Sequence, residues 1–115
     1  MIYTSYFANW RNFPKDSLLI NITRFPPKNW KGVSLYSLAP SRKLLLNYKK
    51  GIIDENEFRN VYIQEIDKYR NKIIEYLRFL QNQNVILLCY EKKGDFCHRH
   101  IVAEWLTPDI EMREL

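Results

Sequence analysis

The 115-residue sequence predicts a small layered α/β domain, with a mainly parallel sheet flanked by helices. Three observations predict it. Residues 2–8, 17–23 and 85–90 are strand-sized runs rich in β-branched, aromatic and aliphatic side chains. The second and third runs are apolar at successive rather than alternate positions, as in strands covered on both faces of a parallel sheet. Helical periodicity fills the segments after the second and third runs, giving strands separated by helices.

In chain order, residues 2–8 form a first strand, and residues 9–16, holding Pro14, a loop or short helical connection. Residues 17–23 form a second strand, stopped by Pro26 and Pro27 because proline lacks the donor that a ladder needs. Residues 28–40 are irregular, with a short strand near Val33 to Tyr36. Ser41 is the expected N-cap of a helix over residues 42–50. Gly51 stands in the C-terminal cap position, and Lys49 and Lys50 suit the negative end of the helix dipole. Asp54 and Glu57 have the spacing of a capping box. The helix it opens is expected to run unbroken to Leu80, because Phe58, Tyr62, Ile66, Tyr69, Ile73, Leu77 and Leu80 recur every three or four residues. This stripe is read as core packing. Residues 85–90 form the third strand. Asp95 is the expected N-cap of a last helix over residues 96–106, and residues 110–115 form an edge strand or a tail.

The chain suits one domain over residues 1–115, with no repeats, linkers or low-complexity segments. With 46% hydrophobic and 15% aromatic residues it can bury a core, which excludes a disordered chain. No apolar run approaches the ~20 residues of a membrane span, and the start lacks a secretory pattern. A cytoplasmic location is therefore expected, and with it two cysteine thiols rather than a structural disulfide. The net charge of +5 is compatible with nucleic acid, a nucleotide or another anion, and equally with a lysine-rich solvated surface.

The chemistry concentrates where the third strand meets the last helix. Cys89, Cys97, His98 and His100, all the cysteines and histidines of the chain, lie within residues 89–100. With Asp95 as N-cap, Cys97 sits at the second helical position, where unpaired amides and the dipole favour a thiolate. Cys97 is then a nucleophile or redox thiol. Its i, i+4, i+8 spacing with Ile101 and Trp105 supports a core role equally well. Cys89 reads as a buried, inert cysteine. His98 is either a proton shuttle or the partner of a loop carbonyl. Glu91 is either an acid/base group or the ion-pair partner of Arg24 or Arg99. Arg99, with the helix N-terminus, and Arg24, from the loop after the second strand, are candidate anion clamps. Such sheets bind ligands beyond the carboxyl ends of their strands, so the two arginines are expected to meet there. Zinc is disfavoured, since adjacent Cys97 and His98 diverge by about 100° on a helix and no paired-ligand spacing exists. No metal and no cofactor is expected.

At these residues the chain resembles the family known as domain of unknown function 488. The likeness lies in Ile22-Thr23-Arg24-Phe25-Pro26-Pro27 and in Cys89-Tyr90-Glu91 followed by Cys97-His98-Arg99. It extends to residues 3–9, the Leu38-Ala39-Pro40 turn and Ala103-Glu104-Trp105-Leu106. Many longer members have an aspartate where Ile22 stands, and a serine and second arginine that Asn29-Trp30 do not supply. The resemblance implies a small α/β fold and no settled activity.

The leading expectation is an anion- or phosphate-binding, thiol-containing site acting on a nucleotide, a nucleic-acid component or another phosphorylated small molecule. Cys97 serves as nucleophile or redox thiol, Glu91 and His98 as acid/base groups, and Arg24 and Arg99 as clamps. Two rivals are a nucleic-acid-binding module that stacks bases on Trp10, Trp30 and Tyr36, and a structural network of Glu91, Cys97, His98 and Arg99 without catalysis.

Overall fold

A computed structural model describes residues 1–115 apart from Lys93. Its sheet has five parallel strands: β1 (Ile2–Tyr6), β2 (Leu18–Asn21), β3 (Val33–Ser34), β4 (Val85–Cys89) and β5 (Met112–Glu114). Their spatial order is β3-β2-β4-β1-β5. The expected all-apolar run is the central strand, buried at every position of β4. It pairs Val85 with both Ile2 and Leu18, and Cys89 with Tyr6. The edges are short, β3 with two residues and β5 with three, which limits the open ladder offered to other chains.

Four helices follow from local signals: α1 (Arg42–Lys49), α2 (Glu55–Asp67), α3 (Arg70–Leu80) and α4 (His98–Leu106). The Ser41 hydroxyl accepts from the Leu44 amide, and Gly51 takes φ 73°, the left-handed conformation that a helix stop requires. The capping box closes in both directions between Asp54 and Glu57. The crossovers β3→β4 and β4→β5 carry all four helices and move the same way across the sheet. Right-handed connection puts both on one face, where α2 packs against α4. Tyr62, Ile66, Leu77 and Val102 there join Ile20, Val85 and Leu87 in one core cluster.

Three expectations are corrected. The first strand stops at Tyr6, and Phe7–Asn12 forms a 3₁₀ helix, the short helical connection expected slightly later. The long helix is two helices. At Tyr69 (φ −105°, ψ 5°) the chain makes a tight turn, with the Tyr69 amide on the Ile66 carbonyl. Asp67 and Arg70, on either side of the break, both bind the end of α4: Asp67 accepts from Trp105 Nε1 and Arg70 donates to the Trp105 carbonyl. Those long-range bonds rephase the stripe and leave Tyr69, expected in the core, 40% exposed. The last correction concerns α4. Asp95 is not its N-cap. Phe96 is drawn into an aromatic cluster with Tyr48 and Phe58, and the helix starts two residues after it, with Cys97 in extended N-cap conformation.

Candidate functional site

The connections of β2 and β4 diverge, β2 toward β3 and β4 toward β5, so a crevice is expected between their carboxyl ends. The chain knits that crevice shut. The Ile22 amide donates to the Leu88 carbonyl, the Tyr90 hydroxyl to the Phe25 carbonyl, and His98 Nε2 lies 2.8 Å from the Ile22 carbonyl. Beneath these contacts the Sγ atoms of Cys89 and Cys97 are joined, with Cα atoms 7.4 Å apart. The sequence favours thiols over a structural disulfide and leaves the approach of the two sulfurs open. Sequence spacing carried no sign of the pairing, because the loop after β4 has to fold back before the N-cap of α4 stands over the strand end.

A carbonyl oxygen only accepts, so His98 Nε2 carries the proton in this contact. Burial pushes the His98 pKa down to about 4, against a smaller upward pull from the Ile22 carbonyl, and Arg99 and His100 lower it further. The ring is neutral at pH 7, so its Nδ1 bears a lone pair. That atom faces Cys97 Sγ at 3.8 Å. Of the two alternatives for His98, the structure shows the bond to a loop carbonyl; the other ring nitrogen faces sulfur. Tyr62 fixes the ring by an edge contact at 5.6 Å.

Arg99 is fully buried. Its Nη1 donates to Cys89 Sγ at 2.9 Å and to the Glu91 carbonyl. Its Nε donates to Glu114 Oε1 at 3.1 Å, and the guanidinium lies 5.6 Å from the centre of the Tyr6 ring. Nη2 is buried without a hydrogen-bond partner among the described residues. A cation held against Cys89 favours its thiolate over its thiol whenever the pair is reduced. Sequence reasoning missed Tyr6 and Glu114. Tyr6 lies in the family-like stretch 3–9 without a role there, and each reaches Arg99 because β5 and β4 both pair with β1.

Glu91 is exposed and forms no ion pair among the described residues; the partner of Arg99 is Glu114. A Glu91 carboxylate oxygen and the two sulfurs all lie within 4.8 Å of one another. These three groups are donors that a zinc ion accepts. Two features oppose a metal here: the sulfurs are joined, and Arg99 already brings a positive charge to Cys89. Of the other ligand types in the segment, His98 gives Nε2 to Ile22, and His100 Nδ1 lies 3.2 Å from Glu114.

Arg24 does not join this cluster. Its Nε donates to the Pro40 carbonyl and its Nη2 to those of Ala39 and Tyr36, so the side chain turns toward the start of α1. It lines a separate cleft of about 510 Å³ with Glu65 and Lys68 of the α2 end. The three candidate stacking rings each have a neighbour of their own. Trp10 carries Arg11, Trp30 packs on Phe7, and Tyr36 lies beside Arg24.

A family model described as the active DUF488-N3 subclade matches residues 4–109. No curated protein and no solved structure matches the chain. No helix among the described residues is long and apolar enough to cross a membrane.

Proposed function

The chain belongs to the DUF488 family, within its active DUF488-N3 subclade, and from that premise we propose that it performs dithiol–disulfide exchange at Cys89 and Cys97. The observation that carries the reading is one convergence. The only two sulfurs outside methionine meet a neutral imidazole nitrogen on one side and a buried guanidinium on the other.

The two environments give the cysteines different work. Cys89 is fully buried against Arg99 and serves as the resolving thiolate. Cys97, also buried but standing at the start of α4 with a hydrogen-bond acceptor beside it, serves as the nucleophile. In the reduced pair the Cys97 thiol, beside His98 Nδ1, loses its proton to water, and the thiolate attacks one sulfur of a substrate disulfide. A bond forms from Cys97 to the substrate, the substrate S–S bond breaks, and the departing thiolate takes a proton from water. Cys89 then attacks Cys97 Sγ. The Cys89–Cys97 bond forms, and the second substrate thiolate leaves, taking a proton from water. The substrate disulfide gains the two electrons that the cysteine pair loses. Arg99 Nη2 is a further donor for negative charge in this site. A reducing cytoplasm, the location expected for the chain, would return the pair to the dithiol.

The test is equilibration with glutathione buffers of graded potential, followed by alkylation and peptide mass mapping. The expected result is one two-electron transition in the folded protein, with Cys97 alkylated before Cys89. C89S should trap a stable mixed disulfide at Cys97. A Cys97 as inert as a core cysteine in the reduced, folded protein overturns the reading in favour of a structural network.

A further inference from the structure

The cleft that holds Arg24 lies outside the sulfur chemistry, and its lining has the features of a binding site for a different molecule. Its volume of about 510 Å³ falls within the range of small-molecule pockets. Three carbonyls, of Tyr36, Ala39 and Pro40, fix the Arg24 guanidinium through Nε and Nη2. Nη1 is left without a hydrogen-bond partner among the described residues. A guanidinium immobilised in this way presents a preorganised donor that suits phosphate oxygens. Lys68 adds a second cation to the same lining, and neither cation has a carboxylate partner among the described residues. The one acid of the cleft, Glu65, has both carboxylate oxygens bonded to Ser41, one to its amide and one to its hydroxyl.

The cations stand on flat apolar surface. Arg24 lies 5.7 Å from the centre of the Tyr36 ring and Lys68 lies 5.2 Å from that of Tyr69. Tyr36 is 47% exposed and Tyr69 40%. Half-exposed rings offer stacking area to an aromatic group, and they do so without sequence-specific hydrogen bonds. The break between α2 and α3 is what turns Tyr69 outward, so the feature that departs from the expected continuous helix also builds this wall.

We propose that the cleft between the Arg24 loop and the α2–α3 turn binds a nucleoside monophosphate, its phosphate on Arg24 and Lys68 and its base against Tyr36 or Tyr69. Neither charge nor ring area alone would specify that class. A bare phosphate leaves the tyrosines unused, and an uncharged nucleoside leaves the two cations unused.

The test is calorimetric titration of the full chain with AMP, with adenosine and inorganic phosphate as separate probes. AMP should bind at least about tenfold more tightly than either fragment, the gap expected when one added charge-assisted contact stabilises the complex. K68Q and Y69L should each weaken AMP binding about five- to tenfold, and C97S should leave it unchanged. Lys68 and Tyr69 are chosen because neither side chain makes a hydrogen bond or ion pair among the described residues, whereas Arg24 ties down a loop. Absence of AMP binding at millimolar concentration overturns the proposal. So does equal affinity for phosphate alone, or insensitivity to both variants. Each of these outcomes is independent of the glutathione titration.

Discussion

Arg99 and Arg24 stand near the exits of neighbouring strands, β4 and β2, and the fold uses them in opposite ways. Arg99 is sealed in, paired with Glu114, bonded to Cys89 and stacked beside Tyr6. Arg24 lies in an open cleft, where its hydrogen bonds go to backbone carbonyls alone among the described residues. The buried arginine directs its charge at the protein's own sulfur; the other directs it outward. Burial therefore decides which one shapes internal chemistry and which one is available to a ligand. The two regions also differ in dependence on the rest of the chain. The sulfur site needs β1, β4, α4 and β5 together, while the cleft needs two loops and one helix end.

That contrast predicts unequal costs of removal. Arg99→Met should cost about 2–3 kcal/mol, because it removes charge-assisted hydrogen bonds to the Glu91 carbonyl and to Glu114. A domain of this size is stabilised by only about 5–15 kcal/mol in all, so the variant should unfold at much lower urea. Arg24→Met loses hydrogen bonds to carbonyls that solvent can partly replace, and should cost about 1–2 kcal/mol. Equal urea midpoints for the two variants would erase the distinction.

The second prediction uses pH to separate the regions. His98 has a folded pKa lowered by burial to about 4, against about 6.5 in an unfolded chain. Between those values the unfolded state binds one proton more than the folded state, so stability falls as pH falls. The loss should amount to about 3 kcal/mol from pH ~6.5 to pH ~4, with no further contribution from this group below that. Urea midpoints across this window, compared with those of His98→Asn, measure it. The variant keeps a group able to donate to the Ile22 carbonyl and should lose most of the slope. A slope that survives the substitution must come from elsewhere, and the neutral proton acceptor beside Cys97 would lose its support.

The sequence carried the parts of this picture that local rules govern. Val85 to Cys89 announces a central strand because nothing in it is polar. Ser41, Gly51 and the Asp54–Glu57 box announce helix ends because capping is a matter of a few neighbouring residues. The family motifs marked Cys89, Glu91, Cys97, His98 and Arg99, and these do assemble at one junction. What failed was decided at long range. Asp95 has the chemistry of an N-cap, yet Phe96 packs on Tyr48 and Phe58 and pulls the helix start past it. No glycine or proline marks the break at Tyr69, because bonds to Trp105 set it. Arg24 was placed beside Arg99 by strand topology alone. The carbonyls at residues 36–40 that capture it follow from a loop with no readable pattern.

The smallest predicted effect tests whether the cleft can be altered apart from the fold. Ser41 caps α1 through its hydroxyl and also holds both oxygens of Glu65. Ser41→Ala removes the cap, at a cost of about 1 kcal/mol. It also takes away one of the two donors that occupy Glu65, leaving a carboxylate oxygen to face the ligand. If the cleft binds an anion, the same substitution that barely shifts the urea midpoint should weaken AMP binding about threefold or more, and raising the salt should reduce that penalty. The glutathione-linked transition at Cys89 and Cys97 should not move, since Ser41 and Glu65 touch neither sulfur, His98 nor Arg99. A shift there would show that the two arginine regions are one site, with the α2 end as the link.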